Sequence, residues 1–234
     1  MPEPGTGALA VEDASLSYTD GTRTTYALKN VSLELPPGQF YGIMGPSGSG
    51  KSSLLYILSG LKPTTEGSAR FGAFVYRENR SQAITQLRRE RFGFVFQQPF
   101  LLPYLSAQEN VLVAAPRQNR EAQEKAAHLL EHLGLGGMQH KLPSQLSGGE
   151  KQRVAVARAM VNDPDVIFAD EPTAALDHGN GKRVIESLAA YKGRGTVVVV
   201  THDAEMLTDA DTIIHLRDGT LAKPDGEPAF LREH

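Results

Sequence analysis

The sequence predicts an α/β fold with a helical segment inserted into its middle third. Short apolar runs at residues 40–44, 166–169 and 197–200 are typical of strands in a sheet that is covered on both faces. A glycine-rich loop follows the first run, and a helical pattern follows the loop. In the middle third, residues 119–133 are polar with apolar residues at helical spacing. Strands that alternate with helices indicate a mainly parallel sheet, with the helical stretch as a subdomain.

The size and composition of the chain fit a globular protein. Its 234 residues are sufficient for one large domain or for a core with an inserted subdomain. The net charge of −3 provides no overall basic surface for nucleic acid, and the absence of cysteine excludes disulfides and thiolate chemistry. The first ten residues lack a secretory signal pattern, and no apolar run approaches the roughly 20 residues of a spanning helix. We therefore expect any membrane role to depend on a partner.

The first third of the chain is predicted to form three strands and a helix. Residues 9–18 and 31–35 alternate loosely between apolar and polar, and turn signals follow both. Residues 40–44 form the strand before the glycine-rich loop. A helix after the loop is predicted from apolar residues that share one face, namely Leu54, Leu55, Leu58 and Leu61. Gly60 and Pro63 are expected to stop it.

The remaining elements are a strand, a group of helices and a return to alternating strands and helices. We expect a strand at residues 92–96 and helical structure at 106–115, 119–133 and 151–161. The last third adds strands at 166–169, 197–200 and 213–216 and a helix at 180–191. The tail from residue 223 is rich in Pro, Gly and charge and is expected to be loosely held.

The glycine-rich loop at residues 45–52 fits the pattern G-x-x-x-x-G-K-[ST]. Its glycines let backbone N–H groups close around phosphate oxygens, and the start of the following helix adds a positive dipole end. Lys51 would reach the β- and γ-phosphates of a nucleotide, and the Ser52 hydroxyl would bind Mg²⁺. A chance glycine-rich turn is the alternative, but the strand–loop–helix context argues against it.

Polar side chains follow three of the predicted strands. Asp170 suits a Mg²⁺ ligand acting through water, and Glu171 suits a general base that activates the attacking water. His202 follows the strand at 197–200, where its imidazole would donate to a γ-phosphate. Gln97 follows the strand at 92–96, and its amide would bind Mg²⁺ and orient water. Each residue taken alone also fits a helix cap or a plain polar strand end.

A second helix start that suits an anion lies at residues 146–150. Ser147, Gly148 and Gly149 lead into the helix, and Ser147 also fits a simple N-cap with glycine flanks. Because the chain already has one phosphate loop, a second anion-binding helix start suggests a site that another copy of the chain completes.

Taken in order, these motifs resemble the ABC ATPase family over nearly the whole chain. The resemblance rests on Tyr18, residues 45–52, Gln97, residues 146–150 and 166–171, the Ala175-Leu176-Asp177 segment and His202. It implies a phosphate-loop NTPase core with a mixed sheet, an N-terminal antiparallel β subdomain and an inserted helical subdomain. It also implies one ATPase domain at residues 8–222, with its core at 8–97 and 164–222, its helical subdomain at about 98–163, and a polar tail at 223–234.

The resemblance implies an ATPase with ATP and Mg²⁺ as cofactors. Catalysis would involve Glu171, His202, Gln97 and Lys51. Ser52, Gln97 and Asp170 would surround the metal.

The resemblance also assigns the nucleotide-binding residues. Tyr18 would stack on adenine, although Tyr26 lies close and is an alternative. Ser147 and Gly149 would bind the γ-phosphate of the opposite subunit's ATP, and Asp177 would line the dimer interface. The full set is Tyr18, Gly45, Pro46, Ser47, Gly48, Ser49, Gly50, Lys51, Ser52, Ser53, Ser147, Gly148, Gly149 and Asp177.

Residues 88–111 are similar to a bacterial branch of the family that includes lipoprotein-release, macrolide-export, haem-export and cell-division ATPases. This similarity implies a separate membrane-spanning permease, a second copy of the chain in an ATP-sandwich dimer, no nucleic acid, and a place at the cytoplasmic face of the cell membrane. Export or extrusion is the predicted function. A cell-division-type mechanotransmission ATPase is the alternative, and a soluble non-transport ABC ATPase is a weaker one. The transported substrate is not encoded here, since the permease would select it.

The apolar run at residues 100–105 is the predicted permease-binding surface. A soluble protein rarely leaves such a patch exposed without a binding role. We expect Leu102 and Leu105 to fill the core of the helical subdomain, and the remainder to line a groove for a short helix of the permease.

Overall fold

Two β-sheets form the framework in the computed structural model, which describes residues 7–21, 23–77 and 81–222. The first sheet is antiparallel and contains β1 (Leu9–Asp20), β2 (Arg23–Leu35), β4 (Glu66–Phe71) and β5 (Phe74–Val75). Its strand order is β2-β1-β4-β5.

The second sheet is mixed, and its strands contribute to both hydrophobic cores. It contains β3 (Phe40–Met44), β6 (Phe92–Val95), β7 (Val166–Asp170), β8 (Thr196–Val200), β9 (Thr212–Arg217) and β10 (Thr220–Ala222). The order is β10-β9-β3-β8-β7-β6, and every neighbouring pair is parallel except β10 with β9.

The helices of the described residues connect and cover these strands. They are α1 (Lys51–Leu58), α2 (Ser81–Arg91), α3 (Ala107–Leu112), α4 (Arg120–His132), α5 (Gly148–Met160) and α6 (His178–Ala189). Among the residues that the structure describes, none of these helices has both the length and the apolar character that a bilayer crossing requires.

The central strands are buried because both faces of the mixed sheet are covered. In β7, Ile167 and Ala169 join a core with helices α3 to α6, whereas Val166 and Phe168 join a core with the first sheet and α1. Successive side chains of a strand point to opposite faces, so a run that is apolar throughout fills two cores at once. This burial explains why the sequence of β7 and β8 does not alternate.

The α/β fold predicted from the sequence is confirmed, with its antiparallel first sheet, mixed core sheet and inserted helices. The prediction for Leu61 is wrong, since α1 ends at Leu58 and Leu61 lies beyond it with 40% of its surface exposed. Gly60, at φ 64°, turns the chain away from the helix. The predicted tail at 223–234 lies outside the described residues.

Several elements were not predicted from the sequence. Strands β4 and β5 and helix α2 lie in a segment whose polar residues give no clear period. The short edge strand β10 was also missed, and β2 is much longer than the predicted strand at 31–35. Strands β2 and β4 pair with β1, and β10 pairs with β9. These strands therefore depend on contacts with other strands, and the periodicity of the sequence does not reveal such contacts.

Candidate functional site

The loop between β3 and α1 depends on glycine at two close approaches. Gly45 has φ 153° and Gly50 has φ 99°, a region that side chains disfavour. A Cβ on Gly45 would lie 2.1 Å from the carbonyl oxygen of Leu216, and one on Gly50 would lie 2.4 Å from that of Ala27. The loop therefore closes tightly over the sheet edge, with its backbone exposed toward a cleft.

A cleft of about 390 Å³ lies over this loop and is lined by Ala27, Ser47, Gly48, Ser49, Gly50, Lys51, Ser52, Ser53 and Glu171. The start of α1 has no side-chain cap, which leaves its first N–H groups directed at the cleft. Lys51 is buried at this helix start, and its Nζ donates to the carbonyl oxygens of Gly45 at 2.9 Å and Pro46 at 3.0 Å. The cleft thus gathers positive charge and unpaired donors, which suits a phosphate group.

Asp170, the last residue of β7, has hydrogen bonds on both carboxylate oxygens. The Ser52 hydroxyl donates to Oδ1 at 2.8 Å, and the Tyr56 hydroxyl donates to Oδ2 at 2.7 Å. Burial and the nearby Asp170 raise the pKa of Tyr56 to about 12, so the phenol keeps its proton near neutral pH. Sequence reasoning missed Tyr56, although its spacing of four residues from Ser52 on α1 would have placed both on one face.

Glu171 and His202 meet where β7 and β8 end. Glu171 Oε2 lies 3.0 Å from His202 Nδ1, and the backbone N–H of Glu171 donates to Val200 at 2.9 Å. Glu171 takes φ 46°, an uncommon conformation for a residue with a side chain. Adjacent parallel strands place their carboxyl ends on one edge of the sheet, and this explains why residues 31 positions apart are in contact.

Gln97 is exposed, lies two residues beyond β6, and makes no hydrogen bond to the rest of the described chain. Its segment is nevertheless held by α5. Gln152 Nε2 donates to the Phe96 carbonyl at 2.8 Å, and Arg158 donates to the carbonyls of Pro99 at 2.7 Å and Phe100 at 2.9 Å. Gln97 thus follows the end of β6, the strand that pairs with β7, and none of the described hydrogen bonds joins it to Ser52 or Asp170.

Ser147, Gly148 and Gly149 form the start of α5 and do not line the cleft of their own chain. Ser147 and Glu150 make reciprocal capping hydrogen bonds, and Ser147 N donates to Glu150 Oε2 at 2.6 Å. These bonds hold the carboxylate in its charged form and lower the pKa of Glu150.

Asp177 caps α6 and is connected to α5 through Asn180. The Asn180 N–H donates to Asp177 Oδ1 at 2.9 Å, and the Asn180 side-chain amide donates to Oδ2 at 2.6 Å. Arg153 of α5 donates to the side-chain oxygen Oδ1 of Asn180 at 3.2 Å. A Cβ on Gly149 would meet Asn180 at 2.9 Å, so the two helix starts pack closely. Gly149 is buried at this contact, and the exposed Ser147 and Asp177 are therefore carried by two helix starts that pack against each other.

The β1–β2 register separates the two candidate aromatic residues. Tyr18 lies opposite Thr25, and Tyr26 lies opposite Ser17, so the two rings project from opposite faces of the strand pair. Tyr18 shares its face with the buried Leu16, which packs in the core with α1. Lys62 Nζ donates to the Tyr18 hydroxyl at 2.7 Å and lies 5.1 Å from its ring centroid.

The residues of the cleft fit a nucleotide with Mg²⁺. The exposed N–H groups and Lys51 suit phosphate, while the buried Ser49 hydroxyl has no hydrogen-bond partner in the described chain. Mg²⁺ binds through one or two carboxylates and substrate phosphates, so the oxygens of Ser52 and Asp170 are an adequate protein set.

Comparisons with known proteins show which family this chain resembles. A family model described as ABC transporter matches residues 28–174. A probable export ATP-binding/permease protein from Pseudomonas fluorescens strain Pf-5 is 43% identical over 234 residues, covering 97% of this chain and 35% of that protein. The macrolide export ATP-binding/permease protein MacB of Escherichia coli strain K12 is 41% identical over 222 residues, covering 93% and 34%. The chain thus spans about a third of the length of these curated relatives.

A solved structure shows the same fold. The dimeric structure of a post-hydrolysis state of an ATP-binding cassette bound to ADP and Pi superimposes with a TM-score of 0.84 at 38% sequence identity. The match covers 92% of this chain and 97% of that chain.

Proposed function

Because this chain belongs to the ABC transporter family and has the fold of its ATP-binding cassettes, we propose that it binds ATP with Mg²⁺ and hydrolyses it. One observation carries the proposal. Lys51, Ser52 and Glu171 line a single cleft, and Asp170 is hydrogen-bonded to Ser52 beside it. This is the set of groups that phosphoryl transfer to water requires, with a cation for the phosphates, oxygens for a metal and a carboxylate for the water.

Each side chain has a role that its position supports. Lys51 and the loop N–H groups hold the phosphates, and Mg²⁺, when bound at Ser52 and Asp170, neutralises phosphate charge. Glu171 accepts a proton from the attacking water, and His202 orients its carboxylate from 3.0 Å. Tyr18, half-exposed on the face of β1 that turns toward α1, offers its ring to adenine.

Two copies of the chain are needed to complete each site. The start of α5 does not line the cleft of its own chain, and its exposed Ser147, next to the buried Gly149, is in a position to meet the phosphate of a second copy. Asp177 lies next to it on the same surface, through Asn180. The proposed dimer therefore pairs each phosphate loop with the opposite α5, and Gln97 reaches the metal in that closed state.

A Glu171→Gln variant tests this proposal directly. The amide keeps the size of the side chain but cannot accept the proton, so we expect ATP binding to persist while hydrolysis stops. Trapped ATP should then hold two copies together, and light scattering after size-exclusion chromatography should report twice the monomer mass with Mg·ATP. Glu186→Gln, on the exposed side of α6, is the matched control. Wild-type turnover by Glu171→Gln would exclude its role as the base.

We further propose that the chain works on a membrane-spanning permease from its cytoplasmic face, as an exporter or extruder. The curated relatives that it matches are named export ATP-binding/permease proteins, and this chain corresponds to about a third of their length. Phe100 and Tyr104 are 62% and 73% exposed, directly after Gln97. Beside them lies an open groove of about 310 Å³, lined by Arg88, Arg89, Phe92, Gly93, Phe94, Phe96, Val113, Ala114, Ala115, Arg158, Ala159 and Asn162.

The permease-binding surface differs in detail from the run predicted at residues 100–105. Leu101, Leu102 and Leu105 are all partly buried, and of these three Leu101 is the one that packs against the core of the helical region. Phe100 lies edge-on to Phe96, with ring centroids 5.9 Å apart, and so extends the aromatic lining of the groove outward. We therefore define the docking surface as Phe96, Phe100, Tyr104 and Val113, which suits the apolar face of a short helix.

A further inference from the structure

Asp170 is held from two sides by a single helix. Both of its carboxylate oxygens accept hydrogen bonds, Oδ1 from Ser52 and Oδ2 from Tyr56, at 2.8 and 2.7 Å. Asp170 as a residue is 9% exposed, so water provides little alternative pairing. The Ser52 contact is part of the site described above, whereas the Tyr56 contact has no role in it.

The spacing of the two donors explains the geometry. Ser52 and Tyr56 are four residues apart on α1 and therefore share one helix face. That face meets the end of β7, where Asp170 lies beside the cleft and contacts Ser52. The two hydroxyls approach the carboxylate from a rigid element that begins at the phosphate loop, so the loop and the acidic strand end are fixed relative to each other.

Tyr56 is suited to act only as a donor here. The Asp170 carboxylate that it faces has only acceptor oxygens, so the Tyr56 hydroxyl supplies the hydrogen of this bond. Its ring is also covered by Lys62, whose Nζ lies 5.9 Å from the ring centroid. The side chain is thereby held in place by contacts that do not involve the nucleotide.

We propose that Tyr56 is a positioning residue for the Mg²⁺ site, because its hydroxyl fixes Asp170 Oδ2 and keeps Oδ1 directed at Ser52. This inference rests on the proposed function. Ser52 must direct its proton to Asp170 if its oxygen lone pairs are to face a metal. A carboxylate that rotates freely loses that alignment, whereas one held at Oδ2 keeps it.

Tyr56→Phe removes only the hydroxyl and tests the proposal. Mn²⁺ is titrated into the full chain with ADP and followed by electron paramagnetic resonance, which separates bound from free metal. We expect the Mn²⁺ midpoint to rise about tenfold, the lower end of effects seen when a partner of a metal ligand is removed. Affinity for a fluorescent ATP analogue in EDTA should stay within about twofold of wild type, since the phosphate contacts remain.

Tyr76→Phe is the matched control, because its hydroxyl donates to the Leu58 carbonyl at the other end of α1, at 2.9 Å. We expect its Mn²⁺ midpoint to equal that of the wild type. The proposal is overturned if Tyr56→Phe leaves the midpoint unchanged, if Tyr76→Phe shifts it equally, or if metal-free affinity falls in parallel. A wild-type chain that binds no nucleotide would contradict the proposed function itself and is distinguishable from each of these results.

Discussion

At the scale of single residues, two side chains of the site have unusual environments: Lys51 is hydrogen-bonded to backbone carbonyl oxygens, and Glu171 has a strained backbone conformation. Lys51 is buried with its ammonium on two loop carbonyls, and a nucleotide would have to draw it away from them. Glu171 keeps a left-handed φ of 46°, which costs of order 1 kcal/mol. This conformation persists because the Glu171 N–H is bonded to Val200 of β8 and its carbonyl oxygen accepts from the Ala174 N–H. Strained backbone conformations of this kind are typical of functional sites, where the orientation of a side chain is needed for function.

Lys51→Ala is expected to abolish tight nucleotide binding. The lysine charge is the one cation that lines the phosphate-loop cleft in the described structure, and its loss removes a charge-assisted contact to phosphate. Equilibrium binding of a fluorescent ATP analogue measures the effect, and Lys182→Ala, at an exposed position of α6, serves as the control. Normal affinity and turnover in Lys51→Ala would mean that the phosphate-loop assignment is wrong.

At the scale of elements, helix α5 connects the parts that must act together. Its first turn carries Ser147 and Gly149, Arg153 reaches Asn180 beside Asp177, and Arg158 holds the segment after Gln97. One rigid helix thus links the surface proposed to meet the second copy with the segment proposed to meet the permease. A shift of α5 on dimer closure would be transmitted to both.

Arg158→Met is expected to loosen the segment at residues 96–100. The methionine keeps the apolar stem but leaves the Pro99 and Phe100 carbonyls without their donor. We expect the free energy of unfolding in urea to fall by about 1–3 kcal/mol. Arg120→Met removes an exposed ion pair with Glu124 on α4 and should cost only about 0.3–0.5 kcal/mol. Equal losses of unfolding free energy in the two variants would show that the carbonyl contacts of Arg158 contribute no more to stability than an exposed ion pair.

Helix starts make the fold sensitive to acid. Backbone N–H donors hold the carboxylates of Glu109, Glu150 and Asp177 and lower their pKa values. A lowered pKa in the folded state contributes stability above the unfolded value near 4, and this stability is lost as pH falls through the folded values. We therefore expect the melting temperature to fall from about pH 5 downward.

Glu109→Gln isolates one of these contributions. The amide still accepts from the helix start but cannot be protonated in this range, so the acid-induced drop in melting temperature should be smaller than in the wild type. Glu131→Gln, an exposed position of α4, is the control and should leave the drop unchanged. Differential scanning calorimetry across pH 6 to about 3.5 provides the comparison.

At the scale of the whole molecule, the proposed function depends on three surfaces that remain open in a single copy of the chain. The cleft, the start of α5 and the docking surface lie on different elements and would be joined by a second copy and a permease. ATP-driven closure of two copies would then move the permease helices seated near Gln97.

Phe100→Asp and Tyr104→Asp test the docking surface. Both side chains are mainly exposed, so the isolated chain should fold and bind ATP normally, while a buried charge should prevent an apolar helix from docking. Co-purification with the membrane partner and transport should both fail. Ile213→Asp, at an exposed position of β9, should have no effect. If both variants assemble and transport like the wild type, the permease binds elsewhere.

The sequence alone determined the α/β class, the phosphate loop and the acidic end of β7, because those features are local. Apolar runs report burial on both faces, and the order of glycine, lysine and serine reports a phosphate-binding helix start. Helix bounds were close for α4, predicted at 119–133 and observed at Arg120–His132. For α1 the sequence named Gly60 as the stop, and only Leu61 was wrongly included in the apolar face of the helix.

Only the tertiary structure decided which residues meet. The Glu171–His202 contact, the Tyr56–Asp170 bond and the opposite faces of Tyr18 and Tyr26 all depend on strand order and register. Contacts between distant parts of a chain are set by packing, which a local pattern does not encode. The role of Gln97 as a metal ligand stays a prediction, and the fold shows that its segment follows the strand paired with β7 and is held by α5.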